Sequence, residues 1–127
     1  MSPTVSSRPP EVDHALVTLL WSSGDEFDNA EPSDELRERV AADWLKFRAA
    51  AEALGFDAVE HRSVAIDRNQ GDEWAYAAHD FILTRNHHGA GFWDGEWHEP
   101  WGQKLTQLSH SFPSIEIWLD GATARPF

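Results

Sequence analysis

His79-Asp80-Phe81-Ile82-Leu83-Thr84-Arg85-Asn86-His87-His88-Gly89-Ala90-Gly91-Phe92-Trp93-Asp94 is the stretch on which the reading of this chain turns. From His79 to Arg85 the residues alternate, with Phe81 and Leu83 on one side and Asp80, Ile82 and Thr84 on the other. That period of two is the pattern of a strand. Asn86-His87-His88-Gly89 is turn chemistry, because Asn and Gly tolerate positive φ. Ala90–Trp93 then returns, so the pattern predicts a β-hairpin over 79–94, with Gly89 and Gly91 marking a bulge or a close backbone approach. In such a hairpin Arg85 pairs with Asp94 across the strands, and Phe81, Leu83, Phe92 and Trp93 supply core and cross-strand packing.

Upstream, Leu36, Val40, Trp44, Phe47, Ala51 and Leu54 draw one apolar stripe at helical spacing. Ser33 is placed to cap that helix, Asp34 and Glu35 occupy its first turn, and Gly55 stops it. Trp44 and Phe47 are read as core. A further helix is predicted over Glu11–Trp21, ended by Ser22-Ser23-Gly24, and Asp25–Pro32 reads as an acidic loop. Ala58–Ile66 reads as a short irregular strand, Asp67–Asp72 as a polar loop and Glu73–Ala78 as one helical turn.

Downstream, Pro100 suits a first helical turn, and Trp101, Leu105, Leu108 and Phe112 continue it as a short amphipathic helix ended by Pro113. Ile115, Ile117 and Leu119 alternate with Glu116, Trp118 and Asp120, predicting a half-buried strand near 115–119 closed by Asp120-Gly121. The expected architecture is α+β: a small antiparallel sheet of about three strands, including the hairpin near 79–94, with two or three helices on one face. Residues 1–10, rich in Pro and Ser, read as a flexible tail, and 11–127 as a single domain.

Composition narrows the function. The chain has 127 residues, 22 acids against 10 Lys and Arg, and a formal net charge of −12. A field of that sign repels phosphate, so direct nucleic-acid binding is not expected. The lack of cysteine excludes disulfides, thiol nucleophiles and Cys-ligated zinc. No signal peptide is read, and no apolar run approaches the ~20 residues of a membrane span. A cytoplasmic setting without membrane contact is therefore expected. The acids concentrate at Asp25–Asp28 and Glu31–Glu38, which reads as solubility or as a surface for a basic partner.

Polar residues that can do work gather between His79 and His98. His79, Asp80, His88, Asp94 and His98 are metal-ligand types, yet no spacing matches a metal signature. The serines stand in no G-x-S-x-G context, and His79-Asp80 on a strand diverge and make no dyad. The segment His88–Gly91 lacks the helix N-terminus of a phosphate cradle. No catalytic residue, metal or cofactor is assigned, and binding is expected rather than catalysis. The candidate binding residues are His79, Asp80, Arg85, Asn86, His88, Trp93 and Asp94. Trp97 and Trp101 read either as interface or as buried packing.

The stretch Ala78–Gly95 resembles a pattern in small proteins of tailed bacteriophages and prophages, roughly G-H-D-F-W-L-T-R-N-G-H-G-A-G-F-W-D-R. Leu20-Trp21-Ser22-Ser23 with its acidic loop is similar to an A-L-W-S-S-T-D-D stretch of the same proteins. The segment around Lys104-Leu105-Thr106 and the strand ending Asp120-Gly121 are similar too. The resemblance weakens at the N-terminus and in Phe56–Asp72. This chain departs from the pattern at Ile82 for Trp, His87 for Gly and Gly95 for Arg. The His87 change disfavours a two-residue turn, and the Gly95 change removes a cation. The resemblance implies a phage or prophage provenance and no activity. For a small acidic protein of that provenance the expectation is an accessory protein that binds a host protein, its sharpest form being an acidic inhibitor of a nucleic-acid-handling or defence system. The alternative is a small enzyme or ligand- or metal-binding protein using the 79–94 cluster.

Overall fold

The computed structural model describes residues 10–61, 73–94 and 97–127. Within them the helices are α1 Pro10–Ser23, α2 Asp34–Ala53, α3 Ala58–His61, α4 Glu73–Arg85 and α5 Trp101–His110. The strands are β1 Glu31–Pro32, β2 Ile117–Asp120 and β3 Thr123–Pro126. Single helical turns at Asp25–Phe27 and Phe92–Asp94 complete the order. The fold is therefore a small α+β domain, its helices packed on one another and α2 against a three-stranded sheet. Residues 1–9 of the expected tail, residues 62–66 of the expected strand and the loop Asp67–Asp72 lie outside the described residues, while Pro10 opens α1.

Helix α2 forms as its stripe dictates. Ser33 takes extended backbone and its side chain accepts from Leu36 N at 3.0 Å. Leu36, Val40, Trp44, Phe47 and Ala51 are buried, and only Leu54, past the helix end, is exposed. Phe47 stacks on Phe81 of α4 with ring centroids 4.4 Å apart and on Phe92 at 5.7 Å. Stacked aromatic pairs of this kind stabilise the core beyond the area they bury.

The hairpin expected over 79–94 is not there. Residues Glu73–Arg85 are one helix, and Ala75, Ala77, Ala78 and every residue from Asp80 to Arg85 are buried. Helix α4 packs against α1, α3 and α5, and only Glu73, Trp74, Tyr76 and His79 are half-buried, so no continuous polar face writes a 3.6-residue period into the sequence. With apolar residues required nearly all round, the alternation at 79–85 carries no strand meaning. The helical turn foreseen at Glu73–Ala78 simply propagates.

The turn chemistry at 86–89 ends this helix instead. His87 sits at φ 58, with His88 N bonded to Leu83 O at 2.9 Å and His87 N to Thr84 O at 3.0 Å. These are the two bonds of a Schellman stop, with a histidine where glycine is usual. The chain then folds back onto α4, where Thr84 Oγ1 accepts from Phe92 N at 3.1 Å. Gly91 lies so close to Thr84 Oγ1 and the Trp93 ring that a Cβ has no room, which answers to the close approach expected there.

The sheet is assembled elsewhere, and it is mixed rather than antiparallel. Its order is β1-β3-β2, with β1 parallel and β2 antiparallel to β3. Strand β2 starts at Ile117, two residues later than expected, and the two-residue loop Gly121-Ala122 turns into β3, with Gly121 at φ 64. The segment after Asp120-Gly121, which no pattern in the sequence marks as a strand, is thus the central strand. Its partner β1 comes from the acidic loop, held by Glu31 N to Ala122 O and Ser33 N to Ala124 O, both 2.9 Å. Ala58–His61 is a short helix rather than the start of a strand. No helix among the described residues is long and apolar enough to cross a membrane.

Candidate functional site

Helix α4 sends the residues of the 79–94 cluster in different directions. Asp80 points into the core at 3% exposure, and its Oδ2 accepts from Trp97 Nε1 at 2.8 Å. Its Oδ1 lies 3.0 Å from His79 Nδ1. On a strand these neighbours diverge, whereas here the Asp80 carboxylate turns back to reach the preceding ring. Trp97 is accordingly buried core and not interface. Trp101 is half-buried, its ring against Phe56 and His61.

Arg85 is completely buried. Its Nε and Nη2 both donate to Pro113 O, at 2.9 and 2.6 Å. Its Nη1 lies 2.9 Å from Asp43 Oδ2, an ion pair whose angle falls outside hydrogen-bond geometry. Burial pushes the guanidinium below the usual arginine range, and the Asp43 carboxylate opposes that. With the hairpin gone, the cross-strand geometry that would pair Arg85 with Asp94 is gone too. Asn86 spends its amide on backbone: Oδ1 accepts from Ile115 N at 2.8 Å and Nδ2 donates to Ile115 O at 3.2 Å. Ser114 Oγ donates to Arg85 O at 3.1 Å. Arg85 and Asn86 therefore staple the α5–β2 connection to the end of α4.

Two of the candidates meet at the surface. His79 and His88 flank Trp21 of α1, with ring centroids 5.9 and 6.1 Å from the indole. Beside them opens a cleft of about 340 Å³, bordered by Ser22, Ser23, Asn86, His88, Ser114 and Glu116, with Ile115, Ile117 and Phe127 as its apolar part. Trp93 is 45% exposed on the turn Phe92–Asp94, which Asp94 closes, and it does not border this cleft. The structure thus joins Asn86 and His88 around one opening, leaves His79 beside Trp21, and directs Asp80 and Arg85 inward.

Sequence reasoning missed the far side of the cleft. Ser22, Ser23 and Ser114 were set aside for lacking a nucleophile motif, and Glu116 and Phe127 carried no signal. Trp21-Ser22-Ser23 was visible only as part of the resemblance. Among the described residues no three His, Asp or Glu side chains come together as a metal-binding group. No family model, no curated protein and no solved structure matches this chain.

Proposed function

We propose that the protein is a phage or prophage accessory protein that works in the host cytoplasm by binding a host protein through an ordered acidic edge. The observation that carries this reading is the state of residues 25–38. Asp25, Glu26, Asp28, Glu31, Asp34, Glu35 and Glu38 are all exposed. Among the described residues only Glu31 of these is in an ion pair, with Arg37 Nη2 at 2.9 Å. The backbone beneath them is fixed by buried Phe27, by the bonds of β1 to residues 122 and 124, and by the Ser33 cap. Acids needed only for solubility gain nothing from such anchoring. Carboxylates carried on a fixed backbone attract a basic groove, and docking them orders little main chain. They suit a groove that otherwise holds nucleic acid.

The resemblance supports the same provenance. Its two stretches lie far apart in the chain, yet Ser22, Ser23, Asn86 and His88 border the same cleft and Trp21 packs against His88. The alternative reading, a small enzyme on the 79–94 cluster, loses ground because Asp80, Arg85 and Asn86 are committed to Trp97, Pro113 and Ile115.

The test is affinity capture from host lysate at low and high salt. The comparison is with a variant carrying Glu26→Gln, Asp28→Asn and Glu38→Gln. A host protein held at low salt, released at high salt and not held by the variant is the expected result. Capture of no partner at either salt overturns the proposal.

A further inference from the structure

We propose that the cleft between the end of α1, the end of α4 and the start of β2 is a site for a guanidinium group, taking an arginine side chain of the partner. This rests on the reading that the partner is a basic protein, and it assigns the contact to a place distinct from the acidic edge.

Ser22 Oγ and Ser23 Oγ both donate to Leu19 O, at 3.3 and 2.7 Å. Ser114 Oγ donates to Arg85 O at 3.1 Å. A hydroxyl has one proton to give, so these three groups present lone pairs to anything that enters. Asn86 has spent its acceptor on Ile115 N and one of its two amide protons on Ile115 O. Glu116 lines the cleft with an exposed carboxylate, and no side-chain partner holds it among the described residues. The opening is therefore rich in acceptors and carries a negative charge, with the second Asn86 amide proton and the His88 ring N–H as its side-chain donors.

An anion meets repulsion there from Glu116 and from a chain of net charge −12. A neutral amide can satisfy only part of the acceptor set. A guanidinium brings five N–H donors in a planar fork and a full positive charge, and it matches both features. The surroundings suit the rest of an arginine. Trp21 is 46% exposed beside the cleft and Phe127 is 77% exposed along it. An indole face takes a cation, and the two rings give apolar cover to the aliphatic stem. A cleft of about 340 Å³ holds one such side chain with water to spare.

The experiment uses the full chain and the capped tripeptide acetyl-Gly-Arg-Gly-amide at low salt, followed by backbone amide NMR shifts. Its control is the same peptide with citrulline, which keeps the shape and loses the charge. Saturable shifts centred on Ser22, His88 and Glu116 are expected with arginine, and shifts at least about tenfold weaker in affinity with citrulline. Glu116→Gln is expected to weaken the arginine peptide about tenfold, and Trp21→Leu also to weaken it. Both residues are exposed, so circular dichroism serves to show that each variant folds. Neutralising Glu26, Asp28 and Glu38 is expected to leave peptide binding in place. Equal binding of citrulline, no effect of Glu116→Gln, or no binding of the arginine peptide overturns the site. If the lysate partner is captured while the peptide fails, the cleft assignment falls and the acidic-edge reading stands. Peptide binding without any host partner gives the reverse.

Discussion

Trp97 Nε1 donates to Asp80 Oδ2 across 2.8 Å in the buried core, and this bond ties the stretch that precedes α5 to the middle of α4. A buried carboxylate is tolerated only when its oxygens are met, and Asp80 has one oxygen on Trp97 and the other on His79. Asp80→Ala strands the indole N–H and opens a void, so it is expected to cost about 2–3 kcal/mol in denaturant unfolding. Asp80→Asn keeps an acceptor for Trp97 and is expected to cost less than about 1 kcal/mol. Equal losses for the two variants would sink this account.

Arg85 cannot be exchanged for lysine. Its fork puts Nε and Nη2 on one carbonyl, Pro113 O, while Nη1 faces Asp43. An ammonium can reach one of these partners but not both. Arg85→Met leaves Asp43 without its cation, and a broken buried pair costs about 3–5 kcal/mol. Arg85→Lys keeps one partner and loses the other, which costs about 1–3 kcal/mol. The double variant Arg85→Met with Asp43→Leu is expected to recover part of that, because no uncompensated charge remains. Thermal unfolding of the three variants decides the matter. A double variant no more stable than the worse single variant contradicts the pairing.

Asn86 acts as a substitute strand for Ile115, matching both its N–H and its C=O. Asn86→Ala removes both bonds and is expected to cost about 1–3 kcal/mol. The loss has a local signature. Amide exchange at Ile115 should quicken most, ahead of the β2–β3 pairs, while the amides of α2 keep their protection. Uniform acceleration across the chain would mean that Asn86 serves global stability and not this one joint.

His87 and Gly91 give opposite expectations for a glycine exchange. His87 holds φ 58 at the helix stop, a conformation costly for any residue with a Cβ. It is exposed, and its main contact is a stack on His110 at 4.6 Å. His87→Gly is expected to raise stability by about 0.5–1 kcal/mol. Gly91→Ala forces a Cβ against Thr84 and Trp93, and is expected to cost about 1–3 kcal/mol. Melting temperatures shifting in these opposite senses check both.

The elements legible in the sequence are those with one wet face and one dry face. Helix α2 shows its stripe, its Ser33 cap and its end at Gly55 because solvent demands polar residues between the buried ones. Helix α5 and strand β2 are readable for the same reason. Helix α4 is not, because it is enclosed and its pattern records no solvent. Strand β1 is two residues long, and its backbone bonds are made to a segment some ninety positions away. Local composition there signals only an acidic loop. As for the site, the segment 79–94 was marked by its polar residues, yet which of them face solvent depends on the handedness and pitch of α4.

By itself the sequence determined the α+β class, the ends and core face of α2, the strongly negative surface and the place where polar residues concentrate. Each of these follows from periodicity, capping chemistry or charge, which are local or additive properties. Only the tertiary structure decided that His79–Arg85 is a central helix, that the chain's last strand is the middle of the sheet, and that Asp80 and Arg85 turn inward. It also decided that Ser22 and Ser23 stand with His88 and Glu116 around one cleft, with Trp21 against His88. The reason is burial: the partners that fix a residue surrounded by protein lie far along the chain, so no window of neighbouring residues contains them.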